Sequence, residues 1–74
     1  MTPEPVSVRE EPIRLGQFLK LAGVVYAGSD SRFLLEDEAV RVGGQVEVRR
    51  GRQLVRGDLV TVSLPSGERR FLVT

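Results

Sequence analysis

The densest run of chemically active side chains is residues 49–58, RRGRQLVRGD, where four arginines and two glycines fall within ten positions. An arginine guanidinium is planar and permanently charged, and its fork of donors matches the oxygens of a phosphate. Held on a loop that contains glycine, several such groups can approach a polyanion closely and release its condensed counterions. Arg49, Arg50 and Arg52 are the cluster suited to this, whereas Arg56-Gly57-Asp58 reads as a turn ahead of the next strand. The bland alternative for the cluster is a solvated turn whose charge keeps a small protein soluble. Glu47 and Asp58 are placed to pair with neighbouring arginines and draw off part of that charge.

Other chemistry is largely closed. The chain has no Cys and no His, which removes thiolate nucleophiles, imidazole acid–base catalysis, disulfides and the usual zinc ligands. It also lacks a nucleophile–base pair and a phosphate-cradling strand–loop–helix motif, so neither an enzyme nor a cofactor is expected. Glu36-Asp37-Glu38 offers oxygen ligands for a divalent cation, but consecutive side chains rarely converge on one ion. A solvated helix end, which would repel a polyanion and help set the docking face, is the better reading.

At 74 residues, 41% hydrophobic and 28% charged, the chain has the make-up of one small folded domain. Its net charge of +1 is misleading, because residues 1–12 hold one Arg against three Glu while residues 13–74 hold ten basic groups against seven acidic. No apolar run approaches the roughly 20 residues of a membrane span, and the start MTPEPVSVREEP does not resemble a secretory signal. The expectation is a cytoplasmic protein with no membrane partner and no small-molecule substrate.

The elements that must position the arginines follow from periodicity. Residues 1–12 form a Pro-punctuated N-terminal arm in which Pro5-Val-Ser-Val-Arg9 alternates like a short edge strand, and residues 13–74 form the main domain. Leu15, Phe18, Leu19 and Ala22 at i, i+3, i+4 and i+7 predict a first helix over Leu15 to Ala22, stopped by Gly23. Ser29 or Asp30 can cap a second helix running to about Glu36. In AVRVGGQVEV, Val40 and Val42 alternate with Arg41, Val46 and Val48 alternate with Glu47, and Gly43-Gly44 supplies the turn of a β-hairpin. LVTVSL, Pro65-Ser66-Gly67 and ERRFLVT add two more strands. The fold class is α+β, with two short N-terminal helices packed on a small, mostly antiparallel sheet of four to five strands. Phe18 and Phe71 fall on core faces, which leaves too little aromatic surface for a single-strand stacking platform.

The order IRLGQFLKLAGVV, a second short helix, then VRVGGQVEVRRGRQLVRGD resembles the S-four-type RNA-binding domain, the alpha-L motif named for ribosomal small-subunit protein four. It is similar in particular to the free-standing bacterial members, the YaaA-like and YbcJ-like proteins, from Ile13 to about Val62. The resemblance implies that helices and hairpin lie on structured RNA with basic side chains against phosphate. Position by position it points to Lys20 on the first helix, Arg32 on the second, and Arg49, Arg50 and Arg52 in the loop, with Arg41 on the hairpin as a lesser contributor. The implied partner is ribosomal RNA, with transfer RNA as an alternative, and the implied setting is the ribosomal large subunit, in assembly or quality control.

The sequence departs from the family pattern at Arg14, where a Thr would cap the first helix, and at Glu38, where a glycine would end the second. A left-handed residue at position 38 would then be strained, or the turn differs. Gly16 either permits close approach to RNA or is an ordinary helix-terminal glycine. A function from another class stays open: a protein-interaction domain that uses an exposed strand edge, or whose arginines meet an acidic protein.

Overall fold

The computed structural model describes residues 2–26 and 31–74. Along the chain these form β1 (Glu4–Val6), β2 (Ile13–Arg14), α1 (Leu15–Leu21), α2 (Ser31–Glu36), β3 (Val40–Val42), β4 (Gln45–Val46), β5 (Gln53–Leu54), β6 (Leu59–Leu64) and β7 (Gly67–Val73). Ser29 and Asp30, the expected caps of the second helix, lie outside the described residues.

The predicted apolar face of α1 is the buried one: Leu15, Phe18 and Leu19 are fully enclosed and Ala22 packs against the core. The helix stops where glycine allows it. Gly23 adopts φ 79°, so its N–H reaches the Lys20 carbonyl and the Val24 N–H reaches the Leu19 carbonyl, both at 3.0 Å. This pair of bonds satisfies carbonyls that the helix end would otherwise orphan. α2 ends in the same way, with Glu38 N–H on the Leu35 carbonyl at 3.1 Å and Ala39 N–H on the Leu34 carbonyl at 3.0 Å. Here the left-handed residue is Glu38, at φ 57°. The turn is thus kept and the strain accepted.

The main sheet has the order β1-β7-β6-β3-β4. β6 and β7 form a regular antiparallel ladder from Leu59↔Leu72 to Leu64↔Gly67, and β3 pairs antiparallel with both β6 and β4. β1 runs parallel to β7, with Glu4 opposite Phe71 and Val6 opposite Val73. The sheet is therefore mixed, which corrects the expectation of a mostly antiparallel one. β1 belongs to the opposite end of the chain from β7, so no short hairpin dictates its direction. Two strands also precede α1, so the helices are not the N-terminal elements but sit between β2 and β3. A separate two-stranded sheet pairs β2 with β5, Ile13 opposite Leu54 and Arg14 opposite Gln53. Two residues per strand are too few to show a period in the sequence.

Gly43 and Gly44 both take positive φ, 60° and 84°, the requirement of a two-residue hairpin turn. Such a turn fixes the register, placing Val42 opposite Gln45 and Arg41 opposite Val46. Facing residues share a side of the sheet. The next pair in that order brings Glu47 to Val40, whose carbonyl accepts the Glu47 N–H at 2.9 Å. The valine alternation consequently changes phase across the turn: Val40 and Val42 are buried, Val46 and Val48 are half exposed, and Glu47 points inward at 6% exposure.

One core joins these elements. Phe18 of α1 meets Phe71 of β7 edge to face, centroids 6.5 Å apart, with Leu35, Val60, Val62 and Leu54 enclosed around them. Replacing Glu38 by glycine relieves a left-handed conformation that costs a side-chain-bearing residue about 1–2 kcal/mol. Glycine's greater freedom in the unfolded chain offsets part of this. Glu38→Gly is expected to raise stability by about 0.5–1 kcal/mol in urea denaturation; a loss of stability would show that position 38 carries no strain.

Candidate nucleic-acid interface

The arginine loop is built around a carboxylate. Glu47 Oε2 accepts the backbone N–H groups of Val48 and Arg49 at 3.1 and 3.0 Å, and Arg49 Nε at 3.1 Å. Glu47 Oε1 accepts Arg49 Nη2 at 3.2 Å and Arg52 Nη1 at 2.9 Å. Five donors thus converge on one enclosed side chain. Hydrogen bonds from Arg49, then the Arg52 guanidinium, favour the charged form and outweigh the cost of burial, holding the Glu47 pKa down at about 2. The Arg49 guanidinium is raised in turn, first by its hydrogen bonds to Glu47 and then by the opposite charge.

The loop in its turn caps α1. Arg14 occupies the N-cap in an extended conformation and makes no side-chain capping bond. Instead Leu15 N–H donates to the Arg52 carbonyl at 2.8 Å and Gly16 N–H to the Arg50 carbonyl at 3.0 Å. The missing Thr is thereby replaced by backbone from a distant segment. A Cβ added at Gly16 would lie 2.5 Å from Arg50 Cγ and 3.2 Å from Ser31 Oγ. Gly16 is buried, and its bare face seats the Arg50 stem and the start of α2. This is a packing glycine, neither an ordinary helix-terminal one nor a point of RNA approach.

The expected site residues fall into separate groups. Arg50 and Arg32 line one groove together with Val48 and Glu36. Arg32 lies over the exposed Phe33 ring, 5.6 Å from its centroid. Arg49 and Arg52 are joined through Glu47 and line a second groove with Gly51 and Gln53. The Arg49 side chain remains 71% exposed although it is paired. Arg41 is set apart, because it alternates with the buried Val40 and Val42 and lies on the sheet face opposite the core. Lys20 is exposed on α1 in a third groove, next to Arg14 rather than to the loop.

Arg56, Gly57 and Asp58 form a turn before β6, as the sequence suggested. Asp58 takes no arginine; its Oδ2 accepts the Val55 N–H at 2.9 Å. Arg56 instead clasps the N-terminal arm, pairing with Glu11 at 3.4 Å and donating to the Val8 carbonyl at 3.1 Å. Glu36, Asp37 and Glu38 are exposed, and no group of acidic side chains among the described residues is arranged to hold a metal. What sequence reasoning missed is the organising role of Glu47. Counting back across a Gly-Gly turn, 42 to 45, 41 to 46 and 40 to 47, is the signal that places it inward.

The candidate interface is thus a short helical pair, a hairpin with a two-residue turn and a basic loop folded back on the first helix, the parts expected of an S4 domain. The family model for that domain matches residues 6–69, and the chain belongs to the S4 domain family. Among curated proteins it is similar to the "Probable ribosome maturation protein RlbA" of Bacillus subtilis (strain 168), 43% identical over 58 residues covering 78% of this chain and 82% of the relative.

Because the folded pKa of Glu47 lies below its ordinary value of 4.5, its contribution is complete above that value and is lost as pH falls through about 2. Glu47→Gln is expected to cost about 1–3 kcal/mol at neutral pH, by leaving charged donors without a charged acceptor. Denaturation from pH 7 to 2 should show the gap between the two proteins closing below about pH 4.5; a gap constant with pH would refute the assignment.

Proposed function

We propose that this chain is a non-enzymatic, cytoplasmic RNA-binding protein that lies on structured RNA, ribosomal RNA before transfer RNA, and acts in ribosome assembly or maturation. The observation that carries this reading is the meeting of Arg32 and Arg50 in one groove, beside a loop that Glu47 holds rigid. Neither arginine has an ion-pair partner among the described residues. A loop backbone already ordered before binding loses less freedom on meeting phosphate than a flexible one does. S4 domain membership and the name of the Bacillus subtilis relative, a probable ribosome maturation protein, support the ribosomal setting.

The same geometry ranks the cations. Arg56 and Arg69 are held by Glu11 and Glu4, while Arg49 shows an open edge and Arg50 is in no ion pair among the described residues. Lys20, Arg32, Arg49, Arg50 and Arg52 are the proposed phosphate contacts, with Arg41 contributing only if RNA wraps onto the outer sheet face. Exposed Val46 and Val48 on and beside the β4 edge support a second reading, addition of a partner's strand at that edge.

Four or five phosphate contacts give a log–log salt slope of about −3 to −4.5 for binding to ribosomal RNA. Arg50→Gln is expected to weaken binding several-fold and reduce the slope by about 1. Arg69→Gln should change neither. Binding without salt dependence in a filter titration would reject the phosphate reading, and equal affinity for an acidic polypeptide would favour the protein partner.

A further inference from the structure

A third groove lies between the N-terminal arm and α1. It measures about 870 Å³, within the range of about 300–1,000 Å³ typical of ligand clefts. Ile13 and Leu21 give it an apolar floor, and Arg9, Arg14, Lys20 and Gln17 stand around them. Leu21 is 52% exposed at the end of α1. None of the three cations forms an ion pair with a described residue. Among the described residues Glu10 is the one carboxylate that lines the groove; its neighbour Glu11 is already occupied by Arg56. Three positive charges thus face one negative.

The groove meets the arginine loop across the β2–β5 ladder. Arg14 stands directly opposite Gln53 on the β2–β5 ladder, and Gln53 lines the next groove with Arg49 and Arg52. Cross-strand partners present their side chains on the same face. A basic track therefore runs from Arg49 and Arg52, across Gln53 and Arg14, to Lys20.

On this geometry, and resting on the RNA-binding reading above, we infer that the groove receives a single unpaired nucleotide extruded from a helical RNA. A paired stem offers only phosphate and sugar to such a track, whereas a bulged base offers a flat apolar face and hydrogen-bonding edges. The exposed Leu21 offers the base an apolar contact, and the exposed Arg14 guanidinium can stack on its face, as arginine planes do with unstacked bases. Gln17, with a donor and an acceptor, reads the base edge. Arg9 and Lys20 meet the flanking phosphates. An acidic peptide would use the cations but leave the apolar floor and the amide without a role.

Two RNA hairpins with the same stem, one fully paired and one carrying a single bulged adenosine, test this by direct titration. The protein is expected to bind the bulged hairpin several-fold more tightly, from contact of one base with Leu21, Arg14 and Gln17. Leu21→Ser combined with Gln17→Ala, both at exposed positions, should bring the bulged hairpin down to the level of the paired one. Arg14→Gln should weaken both and lower the salt slope by about 1. Equal binding of the two hairpins by the wild type, or a preference that survives the double variant, overturns the groove assignment while leaving the phosphate-contacting loop intact. Failure of both hairpins to bind in a salt-dependent way overturns the RNA reading itself, and displacement by polyglutamate as effective as by the bulged hairpin assigns the groove to an acidic protein.

Discussion

The enclosed carboxylate of Glu47 is the interaction on which the rest of this surface depends. It is placed by the hairpin, because a two-residue turn leaves no freedom in which residue comes opposite Val40. Once inside, an ionised carboxylate needs donors, and the nearest are the backbone of residues 48 and 49 and the guanidinium groups of Arg49 and Arg52. The loop is thereby drawn into a fixed curve, and its carbonyls at Arg50 and Arg52 arrive where the first N–H groups of α1 need acceptors. Hairpin, loop and helix are thus joined by one chain of hydrogen bonds.

This arrangement divides the arginines by task. Arg49 and Arg52 hold the loop, Arg56 ties down the N-terminal arm, and Arg69 pairs with Glu4 while covering the Phe71 ring at 4.9 Å. Arg50 makes no ion pair with a described residue, and its stem is held in place because Gly16 has no Cβ to exclude it. Charge that looks uniform in RRGRQLVRGD is therefore structural at some positions and available at others. Part of the dense cluster is given over to its own support.

Much of the fold was legible because its signals are local. The apolar face of α1, the Gly23 stop, the Gly-Gly turn and the strands LVTVSL and ERRFLV each follow from residues within a few positions of one another. What the sequence did not show depends on segments far apart: the parallel pairing of β1 with β7, the two-residue ladder of β2 with β5, and the capping of α1 by loop carbonyls. The candidate site divides along the same line. The cationic residue types were readable, and so was the loop that carries them. Which arginines are paired was not, because the answer turns on the inward aim of Glu47, and the valine alternation around it points the wrong way for a reader who treats both hairpin strands alike.

RNA affinity of Glu47→Gln, measured at neutral pH under conditions where the variant remains folded, tests this account most directly. The substitution removes a negative charge from the middle of the basic loop, so charge alone requires tighter binding to RNA. If Glu47 instead positions the arginines, the variant binds ribosomal RNA several-fold more weakly despite its higher positive charge, since the loop must be ordered at the moment of binding. Affinity equal to or greater than that of the wild type would contradict the account.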